Sequence, residues 1–271
     1  MHSSAETEKI VDRLLGLIGR EGVSEEYVRF RVLLLKSQTA LRDELAGAAD
    51  DVPFDSSLAS AFLANLSEAL KEADHQSDDL ERLRAAADGE PELLEQLAGR
   101  VVSDYDDYLD SLGRRLQIDP VALLFFARAM VAPQVTEAVG RRKRLAAEAP
   151  ASTSGNCPWC GSPPGLAKLD RDDGRRVLFC TLCGESWEFA RSLCPFCRSQ
   201  AELGRLFVTA DDPCWIETCN QCGSYLSTVD ERKLPDDQSV IPLVTSTATL
   251  YLDLIAQEEG YNGGPPYVAL C

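Results

Sequence analysis

The sequence predicts a multi-domain chain of α plus small β type: an all-α helical N-terminal domain, two small cysteine-rich β modules in tandem, and a closing C-terminal helix. Three observations carry this. Of the ten cysteines, none precedes Cys157 and nine lie between Cys157 and Cys222. Before them, apolar residues recur at helical spacing. Among them, short runs rich in Val, Phe, Trp, Ile and Tyr alternate with dense turns. The stretch EAPASTSGN separates the two grammars, and the expected divisions are 1–148, 149–191 and 192–271.

The helical half can be taken in order. EKIVDRLLGLIG places Ile10, Leu14, Leu17 and Ile18 on one face. VSEEYVRFRVLLLKSQTALRDELAG continues in that mode. FDSSLASAFLANLSEALKEA opens on Asp55 or Ser56 as an N-cap. PELLEQLAGRVVSDYDDYLDSLGRRLQ reads as one long helix with Pro91 in its first position. In VALLFFARAMVAPQVTEAVGRRKR, the consecutive Leu123, Leu124, Phe125 and Phe126 require burial on most sides or a partner. Pro133 predicts a kink there. The run Arg141, Arg142, Lys143 and Arg144 suits a helix C-terminus, where cations complement the dipole. Tyr105 and Tyr108 with Asp104, Asp106, Asp107 and Asp110 make an acidic aromatic face, expected to be exposed.

In the other half, GRRVLFC, SWEFA, RLFVTA, CWIETC and SYLSTVD read as strands. SVIPLVTSTATLYLDLIAQEEG returns to helical spacing through Leu250, Leu254 and Ile255, and the tail YNGGPPYVALC is rich in Gly and Pro.

Composition narrows the function classes. The formal charge of −17 over 271 residues argues against nucleic acid and anionic membranes as partners. No apolar run reaches the ~18 residues of a membrane span. The first residues show no basic stretch followed by an apolar one, so a cytoplasmic protein with reduced thiols is expected. There is no phosphate-binding loop, nucleophile elbow or zinc-protease motif. The two histidines, His2 and His75, read as surface residues, which leaves little for general base work.

The cysteines form four C-x-x-C pairs: Cys157/Cys160, Cys180/Cys183, Cys194/Cys197 and Cys219/Cys222. The spacers are nineteen, ten and twenty-one residues. Pair, β-rich spacer, pair is thus repeated. Two residues between cysteines is the spacing of a metal knuckle, whose turn aims both sulfurs at one ion, and two facing knuckles make a tetrahedral cage. C-P-W-C-G is the form of rubredoxin-like and zinc-ribbon sites. Gly161, Gly184 and Gly223 follow the second cysteine of their pairs, where positive φ can be required; Arg198 holds the corresponding place in the third knuckle. Sequential pairing is favoured: Cys157, Cys160, Cys180 and Cys183 around one ion, and Cys194, Cys197, Cys219 and Cys222 around another. Iron and zinc suit four thiolates equally, and neither would keep an open position. Trp187 and Phe189, in the bridge GESWEFARSL, are expected to pack the joint between modules. Cys214 and Cys271 fall outside the knuckles. A nucleic-acid-binding zinc ribbon and a thiol redox protein are the alternatives. Against the second, RSQAELGRLFV after C-P-F-C is too short and broken for the long helix that lowers a dithiol pKa.

The order of CPWCGSPP, LFCTLCGESWEF, CPFC and ETCNQCGSYL, with the closing ATLYLDLIAQEEGY, resembles the formate dehydrogenase accessory protein family, also called formate dehydrogenase formation protein E. The resemblance is most specific over residues 157–261 and looser before. It implies a cytoplasmic, non-catalytic maturation factor that binds the formate dehydrogenase catalytic subunit. It also implies a helical domain with two rubredoxin-like metal modules, iron being associated with the family, and metal ligation by the eight paired cysteines.

Overall fold

This computed structural model describes residues 4–45, 54–75, 77–90, 92–101, 107–146, 154–200, 203–209 and 212–263. The expectations placed on His2, Pro91, Asp104, Tyr105, Asp106, Cys271 and residues 147–153 lie outside them. Seven helices come first: α1 (Ser4–Leu15), α2 (Glu25–Leu45), α3 (Ser56–Glu72), α4 (Asp78–Gly89), α5 (Leu93–Ala98), α6 (Asp107–Leu116) and α7 (Pro120–Leu145). Strands β1 (Pro164–Leu169), β2 (Arg176–Cys180), β3 (Ser186–Glu188), β4 (Leu203–Leu206), β5 (Cys214–Cys219) and β6 (Ser224–Asp230) follow, then α8 (Pro242–Ala248) and α9 (Leu250–Glu258).

Local chemistry sets several of these ends. Asp55 caps α3, its carboxylate accepting from the Ser57 and Leu58 N–H groups, and Ser77 caps α4. Asp119 caps α7, with Pro120 in the first turn, where a missing N–H costs nothing. The long helix expected over residues 91–117 is instead two, α5 and α6. A turn at Gly99–Val101 interrupts it, and Val101 is buried. Glycine is the poorest helix former after proline, and β-branched valine is a weaker one than leucine or alanine. Ile10, Leu14 and Leu17 are buried as their spacing required.

Helix α7 is the axis of the bundle. It is long and apolar enough for a membrane span by length and composition. Its apolar faces are covered by α2, α3, α4, α5 and α6, which all contact it. Leu123, Leu124 and Phe126 are buried, and Pro133 lies buried inside the helix, which runs on to Leu145. The end of its basic run is used within the chain: Lys143 pairs with Glu185 at 2.6 Å, and Arg141 donates to the Leu45 carbonyl.

The six strands form one sheet in the order β3-β2-β1-β6-β5-β4. Each half is an antiparallel meander, and the halves join where β1 and β6 run parallel, Ala167 opposite Thr228 and Leu169 opposite Asp230. Strand β1 was not foreseen. SPPGLAKL is dominated by turn residues, and its extended form comes from pairing on both sides. It is the strand that fuses the two modules. Lys168 reinforces the seam with ion pairs to Glu231 at 2.8 Å and Asp170 at 3.3 Å.

The faces of β1 and β2 are packed in different cores. Ala167 and Leu178 join the large core of the helical bundle; Leu166 and Phe179 join a smaller one with Ile10, Leu14, Val28 and Leu243. The single closing helix expected from the sequence is two, and its apolar face is a different one. Leu252 and Ala256 of α9 are buried against Ile216 and Tyr225, whereas Leu254 is 54% exposed and Ile255 36%.

Candidate metal centres

Cys180 ends β2 and Cys219 ends β5, whereas Cys157 and Cys194 follow irregular backbone, yet the four C-x-x-C pairs close through similar local hydrogen bonds. The N–H of the first cysteine donates to the carbonyl five residues on: Cys157 to Ser162, Cys180 to Glu185 and Cys194 to Ser199. Cys219 and Ser224 are register partners at the same offset, on β5 and β6. The N–H after the second cysteine returns to the first carbonyl at Gly161, Arg198 and Gly223. That residue has positive φ in every knuckle: 80° at Gly161, 74° at Gly184, 64° at Arg198 and 69° at Gly223. Arg198 therefore carries the strain that glycine avoids at the other three. Backbone N–H groups also face the sulfurs; those of Leu182 and Cys183 lie 3.4 Å from Cys180 Sγ.

The sulfurs converge in two groups, Cys157, Cys160, Cys180 and Cys183, and Cys194, Cys197, Cys219 and Cys222, each within 4.8 Å. Knuckles therefore face each other in sequential order. Sulfur separations are 3.6 Å for Cys157–Cys183, 3.4 Å for Cys160–Cys180, 3.8 Å for Cys194–Cys222 and 3.6 Å for Cys197–Cys219. These are too long for a disulfide. A tetrahedral ion ~2.3 Å from each sulfur would set sulfur–sulfur edges of about 3.8 Å, so the spacing fits one ion per group.

Protonation tells the same story. Hydrogen bonds from Cys157, Cys180 and Cys183 hold Cys160 far below the ordinary thiol range, while burial pushes Cys180 well up. In the second group burial pushes Cys194 up to about 12. Burial opposes ionisation of Cys222 too, yet hydrogen bonds from Ser224 bring it down to about 7. Four thiols this close cannot all ionise unaided, and a divalent cation would take the place of their protons. Two such groups can hold two metal ions.

The groups differ in setting. Cys157, Cys180 and Cys183 are buried in the bundle core together with Trp187, and Cys160 packs against it. Arg128 of α7, fully buried, donates to the Val101 carbonyl and, at 2.5 Å, to the Thr181 hydroxyl inside the second knuckle. Thr181 in turn donates to the Pro163 carbonyl at 3.0 Å. In the second group Cys194 and Cys219 are buried, but Cys197 and Cys222 are exposed. Its edge strand β4 alternates exposed and half-buried residues.

The joint between the groups is built by residues that the cysteine pattern does not point to. Arg176 of β2, 2% exposed, pairs with Glu217 of β5 at 2.7 Å and donates to the Leu193 carbonyl at 3.0 Å. Phe189 lies against the Arg176 guanidinium, 6.0 Å from it, while Trp187 belongs to the core around the first group. Gly155 abuts the third knuckle so closely that a Cβ there would sit 1.8 Å from the Pro195 carbonyl oxygen. A lone arginine within the apolar run FFARAMVA was the available signal for Arg128. Arg176 and Gly155 gave none. Cys214 lies outside both groups, and burial pushes its thiol up to about 12.

A sheet carrying two four-cysteine groups, each able to hold a metal ion, against a helical bundle defines a twin-ribbon protein. Residues 156–191 match the family described as FdhE, central domain. A protein FdhE homolog of Haemophilus ducreyi is 35% identical over 108 residues, which cover 39% of this chain and 34% of that one. Another, from Stutzerimonas stutzeri, is 36% identical over 119 residues, 42% of this chain and 38% of the relative. The matched part therefore spans between 34% and 38% of these relatives' length. The crystal structure of the FdhE protein from Pseudomonas aeruginosa superposes with a TM-score of 0.59, covering 97% of this chain and 95% of that one at 23% identity, so the fold is shared. The resemblance drawn from the cysteine motifs is borne out, as is the architecture of helical region, small sheet with two four-cysteine groups, and C-terminal helices.

Proposed function

We propose that this chain is an accessory protein that binds the catalytic subunit of formate dehydrogenase during maturation in the cytoplasm. Cys157, Cys160, Cys180 and Cys183 hold one metal ion, and Cys194, Cys197, Cys219 and Cys222 hold a second. The observation that carries this is the pair of tetrathiol groups seated in one sheet of a fold shared with an FdhE protein. The helical region, 1–148, and the modules at 149–191 and 192–271 act as one docking body, since Arg128, Lys143 and Arg176 tie them together.

The protein works by binding rather than turnover. Four sulfurs would complete the coordination of each ion and leave no position to activate water. Iron would add one-electron chemistry; zinc would add stability alone. On the protein side, the knuckle N–H groups and the buried Arg128 hold the sulfurs in place before any ion arrives. Pull-down from anaerobic extract tests the reading: the formate dehydrogenase catalytic subunit should be enriched over an unrelated molybdoenzyme. Equal recovery of both would contradict it. A nucleic-acid binder would instead retain RNA or DNA in a salt-sensitive way. A dithiol enzyme would turn over with a reductant and keep its fold without metal.

A further inference from the structure

A cavity of about 570 Å³ opens where α2, α7, α8 and α9 meet β1 and β6. Its volume is that of a ligand site. All three regions of the chain build it, and neither metal group takes part. On one side Tyr27 and Phe30 of α2 face Phe125 of α7, the rings of Phe30 and Phe125 lying 5.7 Å apart. Val121, 57% exposed, lies on the same side. Opposite stands Asp253 of α9, whose carboxylate accepts from the Ser227 hydroxyl at 2.8 Å.

The charges in this cavity do not balance. Among the described residues two carboxylates line it, Asp253 and Asp119, against one cation, Arg31, and Asp119 is already engaged as the cap of α7. Among the described residues no cation reaches Asp253; burial, Ser227 and Tyr225 are what act on it, and burial pushes it up to about 6. A carboxylate in apolar surroundings without a counter-charge costs stability until a cation arrives. Flat aromatic walls accept the stem and the face of a guanidinium or ammonium group. Val121 adds an apolar contact that a free amine would not use.

We propose that this cavity binds an arginine or lysine side chain of the client polypeptide, with Asp253 as its counter-ion and an apolar neighbour of that residue against Val121 and Phe125. This rests on the client being a polypeptide, as argued for the accessory role.

The test uses the full chain and overlapping 15-residue peptides tiling a formate dehydrogenase catalytic subunit. Each peptide has a twin in which citrulline replaces Arg and norleucine replaces Lys. Binding peptides should carry Arg or Lys beside an apolar residue, and their twins should bind at least tenfold more weakly. Asp253→Asn should weaken the same peptides at least tenfold. Val121→Arg, at an exposed position that the fold does not need, should abolish binding. Twins that bind as well, or peptides indifferent to both variants, would overturn the proposal. So would displacement by spermidine as effective as displacement by unlabelled peptide, which would mean a free-amine site. If the intact catalytic subunit is captured while no peptide depends on Val121 or Asp253, the cavity proposal fails and the accessory role stands. If neither is captured, both fail.

Discussion

The two cysteine groups share the C-x-x-C spacing, similar knuckle turns and similar sulfur geometry, but have opposite surroundings. The first is set into the core of the helical bundle, with three cysteines buried and Cys160 half-buried. In the second, Cys197 and Cys222 face solvent beside an exposed edge strand. Local sequence therefore makes the cage, while the rest of the fold decides how far an ion within it is protected. The first group doubles as core packing for the helices. On the proposed occupancy, the second should lose or exchange its ion with the helical bundle intact.

Breaking the cages one at a time should give the largest contrast. Cys180→Ser removes a sulfur that is 0% exposed and shared with the bundle core. Given the ~10–16 kcal/mol apparent binding energy of a structural four-thiolate site, a loss of more than about 4 kcal/mol is expected, with the helical signal unfolding too. Cys222→Ser should cost about 1–2 kcal/mol and leave the helical transition in urea in place. Equal losses would erase the distinction.

Next comes the tie between bundle and first cage. Arg128→Met leaves the Val101 carbonyl and the Thr181 hydroxyl without their buried donor. A cost of about 3 kcal/mol is expected in urea unfolding, with faster metal loss from the first group only.

The joint offers a subtler change. Gly155→Ala forces a Cβ onto the Pro195 carbonyl, so the third knuckle must shift. About 2 kcal/mol is expected, with faster chelation of the second ion and none of the first. Unchanged release from the second group would show that the contact with Pro195 carries no restraint.

The smallest effect lies where α9 covers the second half of the sheet. The Asp253 carboxyl is raised to about 6 by burial. A raised carboxyl contributes its full stability below the unfolded value and loses it as pH rises through the folded one. Asp253→Asn should therefore stabilise by about 1–2 kcal/mol at about pH 7.5 and by less at about pH 5. Destabilisation at both would mean that the carboxylate is needed structurally.

How much of this could be read from the chain varies by region. The knuckles, their sequential pairing and the turn strain at Arg198 were legible because they depend on a few adjacent residues. Asp55 as a cap and the buried face of α1 were legible for the same reason. Strand β1 was not, since its extended form is imposed by neighbours on both sides. The break at Gly99 was hidden by an otherwise helical pattern. The buried face of α9 is hidden in the sequence, because Leu250, Leu254 and Ile255 keep helical spacing while Leu252 and the small Ala256 are the residues that pack on Ile216 and Tyr225. Arg176 with Glu217 and Gly155 against Pro195 are long-range meetings that no local pattern announces. Helices and cages thus came from the sequence, and their assembly into one sheet from the structure.

Two separate metal ions with unequal protection should be visible in metal release from anaerobically purified protein under a chromogenic chelator, with elemental analysis of the starting material. Two equivalents should leave in two phases, and Cys222→Ser should retain only the slow one. A total of one equivalent or none, or a single phase unchanged by Cys222→Ser, would contradict the account.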